Sequence, residues 1–264
     1  MKNTDDFPWK FAKKKLAEQF KEITLVKNCS FKYRNDLVSQ GIYSYDKLTD
    51  NKMISNTENF INNNKLSIQK HPNILFVDFE ILTSIYDDFS SFPASNDKEY
   101  IFNIGCGLGK DRNFIFKSYM AYTLSEEYDI LCKFIEFINS IPGDDVLIVH
   151  WTNIEKRLLL KKIKEYDLYL NKEILWLDLH NYFVESDILI KNCFSYKLKS
   201  VSKSLFSSGL IESSWDDSFM DGLGAMTGYL KYLSSNDADL IRDIAHYNMI
   251  DCKVLWEIYS LIKN

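Results

Sequence analysis

The sequence predicts an α/β protein: a mixed five-stranded sheet flanked by helices, with a small helical appendage at the N-terminus. Three observations lead there. Apolar runs of strand length recur at residues 73–79, 100–106, 113–119, 145–150 and 174–179. Segments with apolar residues at helical spacing follow the third, fourth and fifth of these, at 125–140, 152–166 and 237–263. Residues 1–70 carry no strand pattern. Strands interleaved with helices mark a layered domain, and a strand-free polar leader marks an addition to it. The expected division is therefore 1–70 for the appendage and its linker, and 71–264 for the α/β domain.

In the appendage, Pro8 stands where a first helical turn can begin, and Phe11, Leu16 and Phe20 form a rough apolar stripe among lysines. Residues 23–48 read as two short helices joined near Gly41. Residues 57–70, with Asn62, Asn63 and Asn64 in a row, read as a linker.

The first strand opens with Ile74, Leu75, Phe76 and Val77, a run suited to burial on both faces. Asp78 and Glu80 follow at i and i+2, so both leave one face while Phe79 points to the other. Acids in such a strand are costly unless a cation or a partner compensates. The second and third strands read as a hairpin turning around Gly107, Leu108 and Gly109. A phosphate-cradling loop at Gly105–Gly109 is rejected, because strand-like residues flank it on both sides and no helix opens after it.

Tyr128, Leu131, Ile135 and Ile138 give the 125–140 helix its apolar stripe, and Pro142-Gly143 ends it. Strand 145–150 leads into the 152–166 helix and places Glu155 in that helix's first turn, by the strand end where ligands gather in open α/β sheets. Strand 174–179 carries Asp178. A long polar connection then reaches the last helix, 237–263, where Tyr247 and Asp251 stand four apart on one face.

Composition narrows the functional classes. A net charge of -5 argues against a broad nucleic-acid coat while leaving room for a local basic track. Lysines and arginines cluster at 10–21, 156–164 and 191–203, patterns that equally describe solvated helix faces. Five cysteines without a Cys-x-x-Cys pair fit reduced thiols, and four scattered histidines offer no zinc spacing. No apolar run reaches membrane-spanning length, and the start lacks a signal peptide's apolar stretch. A soluble intracellular protein is expected, in the cytoplasm or nucleus. The abundance of Asn, Lys and Ile suggests an AT-rich genome such as that of a large DNA virus, which adds a viral factory to the compartments.

The chemistry lies in the ordered acids. Among 37 acidic residues an Asp-x-Glu arises readily by chance, so the set carries the argument and no single member does. Brought together, Asp78, Glu80, Glu155 and Asp251 make an oxygen cage for two divalent cations, Mg2+ or Mn2+. Two such ions about 4 Å apart stabilise the attacking and leaving oxygens of a phosphodiester displacement. The ordinary alternatives are an Asp ending a strand and a Glu favoured by the helix dipole.

These residues resemble the DEDD, or DnaQ-like, 3′–5′ exonuclease superfamily, which has an RNase H-like fold. Asp78-Phe79-Glu80 looks like its first motif, and Tyr247-Asn248-Met249-Ile250-Asp251 looks like the Tyr-x-x-x-Asp form of its third. The second motif commonly runs Asn-x-x-x-Phe-Asp; here His150 and Glu155 replace its first and last members at the same spacing. A narrower likeness, over residues 72–263, is to the RNase H-like domain at the C-terminus of predicted RecB-type nucleases. It is carried by His150-Trp151 with Glu155, by Leu177-Asp178-Leu179, by Tyr196-Lys197-Leu198-Lys199-Ser200-Val201, and by Tyr247-Asn248 with Asp251. Residues 22–45 resemble the helix-hairpin-helix-like segment that precedes such domains, with Cys29 where those hairpins prefer Gly.

The resemblance implies a two-metal 3′–5′ exonuclease acting on nucleic acid, DNA more than RNA. Asp78, Glu80, Glu155 and Asp251 would be the metal ligands, with Asp178 as a further acid, and Tyr247 would orient the attacking water. His150, Trp151, Tyr196, Lys197 and Lys199 are the expected nucleic-acid contacts, by base stacking and phosphate pairing. Core packing is the competing role for Trp151. The other readings are a non-catalytic nucleic-acid-binding domain of the same fold, and a ribonuclease acting on RNA or RNA-DNA hybrids.

Overall fold

Two apolar faces shape the sheet, and the residues on them follow from strand alternation. The structure is a computed structural model that describes residues 9–26, 29–48, 71–83, 99–110, 113–186, 188, 190, 193, 195–215 and 221–262. The expected helix start at Pro8 and the 57–70 linker lie outside these residues. In chain order the elements are α1 (Lys10–Gln19), α2 (Phe31–Ser39), β1 (Ile74–Leu82), β2 (Tyr100–Lys110), β3 (Asn113–Met120), α3 (Glu127–Ser140), β4 (Asp145–His150), α4 (Ile154–Glu165), β5 (Glu173–Asp178), α5 (Leu179–Glu185), α6 (Leu198–Ser207), α7 (Gly222–Ser235) and α8 (Ala238–Ile262). Chain contacts group residues 66–182 with 211–264, and residues 1–65 with 183–210.

The larger unit holds the sheet, in the order β3-β2-β1-β4-β5. Strand β1 pairs antiparallel with β2 and parallel with β4, β2 pairs antiparallel with β3, and β4 pairs parallel with β5. One face carries Leu75, Val77, Phe79, Ile104, Cys106, Val146 and Ile148 against Ile130, Leu131, Phe134, Ile135 and Ile138 of α3 and Leu158 and Leu159 of α4. Phe79 meets Phe134 edge-on, with ring centroids 6.1 Å apart. The opposite face receives α8, which packs across β1, β2 and β3, while α7 packs on α8 and β1.

The Gly105–Gly109 stretch is strand throughout, which corrects the expected turn. Pairing continues from Gly105 opposite Ser118 to Lys110 opposite Asn113. Strand geometry puts Gly105, Gly107 and Gly109 on the α8 side. A Cβ at Gly105 would overlap Asn248 Oδ1, and one at Gly109 would overlap the Trp256 indole. The glycines are the flat floor on which α8 rests. Gly105→Ala should therefore destabilise the protein by about 1–3 kcal/mol, the usual cost of overpacking, seen as an earlier unfolding midpoint in urea. An unchanged midpoint would mean that α8 shifts freely.

A β-bulge interrupts β1 and β2 immediately after Glu80. Glu80 pairs with Asn103 and Ile81 with Ile101, leaving Phe102 as the extra residue. Phe102 thereby turns toward α7, where its ring stacks on Tyr229 with centroids 4.2 Å apart. Leu82, Ala225, Met226, Ile241 and Ile244 complete this second apolar cluster.

Among its described residues, the polar connection expected between 180 and 236 contains three helices. Their periodicity is masked by composition. Helix α6 buries Val201, Ser202 and Leu205 among lysines and serines, and the glycine-rich α7 buries Ala225, Met226 and Tyr229. In the smaller unit, α2 is capped by Ser30, whose side chain accepts from the Tyr33 N–H, and Gly41 follows it with φ 82°. Among the described residues between 23 and 48 one α-helix forms where two were expected; the flanking pieces, Ile23–Leu25 and Tyr45–Lys47, are single 3₁₀ turns. Ile23, Val26, Cys29, Leu37 and Leu48 are this unit's small core.

Candidate active site

Each acid owes its place to a rigid element. Asp78 and Glu80 leave the α8 side of central strand β1, because Phe79 between them fills the other face. Asp251 lies on α8, which the glycine floor brings down onto β1 and β2. One carboxylate oxygen from each of Asp78, Glu80 and Asp251 falls within 4.8 Å of the others. Glu80 and Asp251 are buried, and Asp78 is partly exposed.

The three acids crowd negative charge into one place. Burial of the Asp78 carboxyl, together with the charges of Asp251, Glu80 and Glu155, holds its pKa well above the usual carboxylate range. Opposing this, Asn248 Nδ2 donates to Asp78 Oδ2 at 2.7 Å and to the Asp78 carbonyl at 3.2 Å. Three close carboxylates in a water-poor setting repel one another unless protons or cations intervene. A set composed of carboxylate oxygens alone fits a hard divalent ion such as Mg2+ or Mn2+.

Tyr247 stands one turn before Asp251 on α8 and hydrogen-bonds to it. Burial and the charges of Asp251, Asp78 and Glu80 hold its phenol far above the ordinary value, so it remains a protonated donor at neutral pH.

Glu155 enters differently. It lies in the first turn of α4 and is buried, and its charge reaches Asp78, yet it is outside the three-acid group. Its Oε2 sits 3.6 Å from His150 Nδ1 and has no hydrogen-bond partner among the described residues. Asp178 ends β5 opposite His150 and caps α5, its Oδ1 accepting from the Asn181 N–H at 2.9 Å. That cap gives one of its two oxygens a structural role.

The expected nucleic-acid contacts separate in the same way. His150 is 1% exposed, its Nδ1 bonded to the Thr152 carbonyl and its ring edge-on to Trp176. Trp151 is 6% exposed and packs edge-on to His180. Tyr196, Lys197 and Lys199 belong to the smaller unit. The Tyr196 hydroxyl donates to the Ile188 carbonyl at 2.7 Å, Lys197 is exposed at the start of α6, and Lys199 is half-buried in its first turn.

The lysine and arginine cluster at 156–164 is largely spent on internal pairing. Arg157 and Lys161 clasp Glu99, whose pKa their hydrogen bonds lower to about 2. Lys162 is buried against Glu127. In the sequence Asn248 stands out only as a motif neighbour of Tyr247, with no role in the site. The available signal was the run of alternating glycines, which marks where a helix side chain must descend onto the strand.

Fold and site together define an RNase H-like α/β domain. A family model described as RNase_H_2, of the RNase H superfamily, matches residues 88–263, and the chain belongs to that superfamily. The matched segment starts after β1, but the central position of that strand makes it part of the same sheet. Among curated proteins no match to the chain is found. An RNase H-like domain implies nucleic acid as substrate. Among the described residues no helix is long and apolar enough to cross a membrane.

Proposed function

We propose that the chain is a divalent-metal-dependent nuclease that removes nucleotides from the 3′ end of DNA by a two-metal mechanism. The observation that carries the reading is the convergence of Asp78, Glu80 and Asp251 on one centre from a rigid strand and a rigid helix. Polarity and the preference for DNA rest on the Tyr247 to Asp251 spacing and its likeness to the third motif of the DEDD exonucleases. Asp78, Glu80 and Asp251 would hold the cations, and Glu155, whose charge reaches Asp78, would join them directly or through water.

When bound, the cations supply a nucleophilic water near neutral pH and neutralise charge on the phosphate. The protein's own groups do the remaining work. The strand and helix fix the carboxylates before substrate arrives, so little reorganisation is needed. Tyr247 keeps its proton and offers a hydrogen bond beside Asp251, where it would orient the attacking water.

The test is release of label from 3′-labelled single strands with Mg2+ or Mn2+, with RNA and RNA-DNA hybrids in parallel. DNA should be trimmed from its 3′ end, and Asp78→Ala should release none. Equal release by that variant and the wild type removes the site, while preferred cleavage of hybrids moves the reading to a hybrid ribonuclease. Metal uptake without cleavage of any substrate would favour the binding-domain reading, which draws on the separation of Glu155 from the three-acid group. Tyr247→Phe should slow release by about 10–100-fold while leaving Mn2+ affinity nearly unchanged, as for groups that act on a site from beside its ligands. Lost Mn2+ binding in that variant would instead make Tyr247 part of the metal-holding set.

A further inference from the structure

We infer that Asn248 is a positioning residue of this site: its amide clamps the Asp78 carboxylate in place beside Glu80 and Asp251. The inference rests on reading the three acids as a metal site, and it assigns a role to a side chain that ligates nothing.

Three observations support it. Asn248 is 0% exposed, on the helix that also carries Asp251. Its Nδ2 meets two acceptors of one residue, Asp78 Oδ2 at 2.7 Å and the Asp78 carbonyl at 3.2 Å. Both partners accept, so the amide orientation is fixed by chemistry: the nitrogen must face Asp78 and the oxygen must face away. That oxygen, Oδ1, is buried without a hydrogen-bond partner among the described residues, directly over Gly105.

A half-satisfied buried amide is a poor choice for a core position. Leucine has the same number of side-chain heavy atoms and leaves no polar atom stranded. What Asn248 supplies, and Leu cannot, is a double hold on Asp78. The need for a hold is electrostatic. The charges of Asp251, Glu80 and Glu155 all push on the Asp78 carboxylate, and rotation about its side-chain bonds would carry it away from them. Asn248 opposes that rotation by holding Asp78 Oδ2 at 2.7 Å. Gly105 completes the arrangement, because any side chain there would occupy the place of the amide oxygen.

The deciding experiment compares metal-free crystal structures of the wild type and Asn248→Leu, with Mn2+ titration calorimetry on both. In the variant the Asp78 carboxylate should leave its wild-type position, and Mn2+ affinity per folded molecule should drop by about 10–100-fold. If Asp78 keeps its place in the variant, the inference is overturned whatever the affinity. If the wild type takes up no Mn2+ while the variant still releases Asp78, the positioning role stands and the nuclease reading falls. Should the Leu variant fail to fold, Asn248→Ser, which leaves a gap instead of filling it, carries the same comparison.

Discussion

Asp78→Asn should raise the stability of the metal-free protein while abolishing its cation uptake and its cleavage of nucleic acid. Without cations, Asp78 is the acid on which burial and three neighbouring charges converge. The amide is isosteric, bears no charge, and still presents an oxygen to Asn248 Nδ2. The expected gain is about 0.5–2 kcal/mol, in the range found when a strained functional site is relaxed, or about 2–4 °C in melting temperature per kcal/mol for a chain of this size. The loss of activity should reach about a thousandfold or more, because transition-state charge stabilisation by bound cations amounts to several kcal/mol.

The pH dependence gives the same result a second signature. Folding raises the Asp78 pKa, so between the unfolded and folded values the native state binds more protons than the unfolded chain. Stability of the metal-free protein therefore falls as pH rises through that window, and acidification restores it. Asp78→Asn should flatten this dependence, and saturating Mn2+ should flatten it in the wild type. Urea unfolding across the window, with and without Mn2+, measures all three. A variant no more stable than the metal-free wild type would mean that the acids do not strain the fold.

The acids were legible in the sequence where one periodicity governed them. Asp78 and Glu80 follow from strand alternation around Phe79, and Tyr247 and Asp251 from helical spacing. Features that depend on how elements meet were not legible. The alternating glycines of β2 look like a turn until α8 lies on them, because the reason for two of them is a side chain 143 or 147 residues away, Asn248 over Gly105 and Trp256 over Gly109, while Phe114 of β3 covers Gly107. Helices α6 and α7 hid for a different reason: serine, lysine and glycine occupy their solvent faces, and only a few apolar residues report the helical period. Lysines 161 and 162 read as surface charge, since nothing local shows that Glu99 and Glu127 will meet them.

The meeting of Lys162 with Glu127 underlies the largest stability effect expected in the molecule. Glu127 opens α3 and is 3% exposed; Lys162, on α4, is 4% exposed. Glu127 Oε2 accepts from Lys162 Nζ at 3.0 Å and from the Tyr166 hydroxyl at 2.7 Å, while Oε1 accepts from the Ile101 N–H at 2.7 Å. One carboxylate thus ties α3 to α4 and to the start of β2. Glu127→Ala should cost about 3–5 kcal/mol, because it leaves a buried ammonium with only the more exposed Glu165 carboxylate, 3.3 Å away, as counter-charge and a buried backbone donor without an acceptor. Lys162→Met should cost much less, since Glu127 keeps two donors and the new side chain fills the same space. Glu127→Gln should fall between them: its oxygen can serve Ile101, but the ion pair is lost. Urea midpoints of the three variants at neutral pH order them. Equal midpoints for Glu127→Ala and Lys162→Met would refute the asymmetry on which the argument depends. Ile101 is also the first residue paired beyond the bulge that follows Glu80. Releasing its N–H should therefore loosen the strand end that aims Glu80, and Mn2+ affinity should fall in Glu127→Ala more than in Lys162→Met.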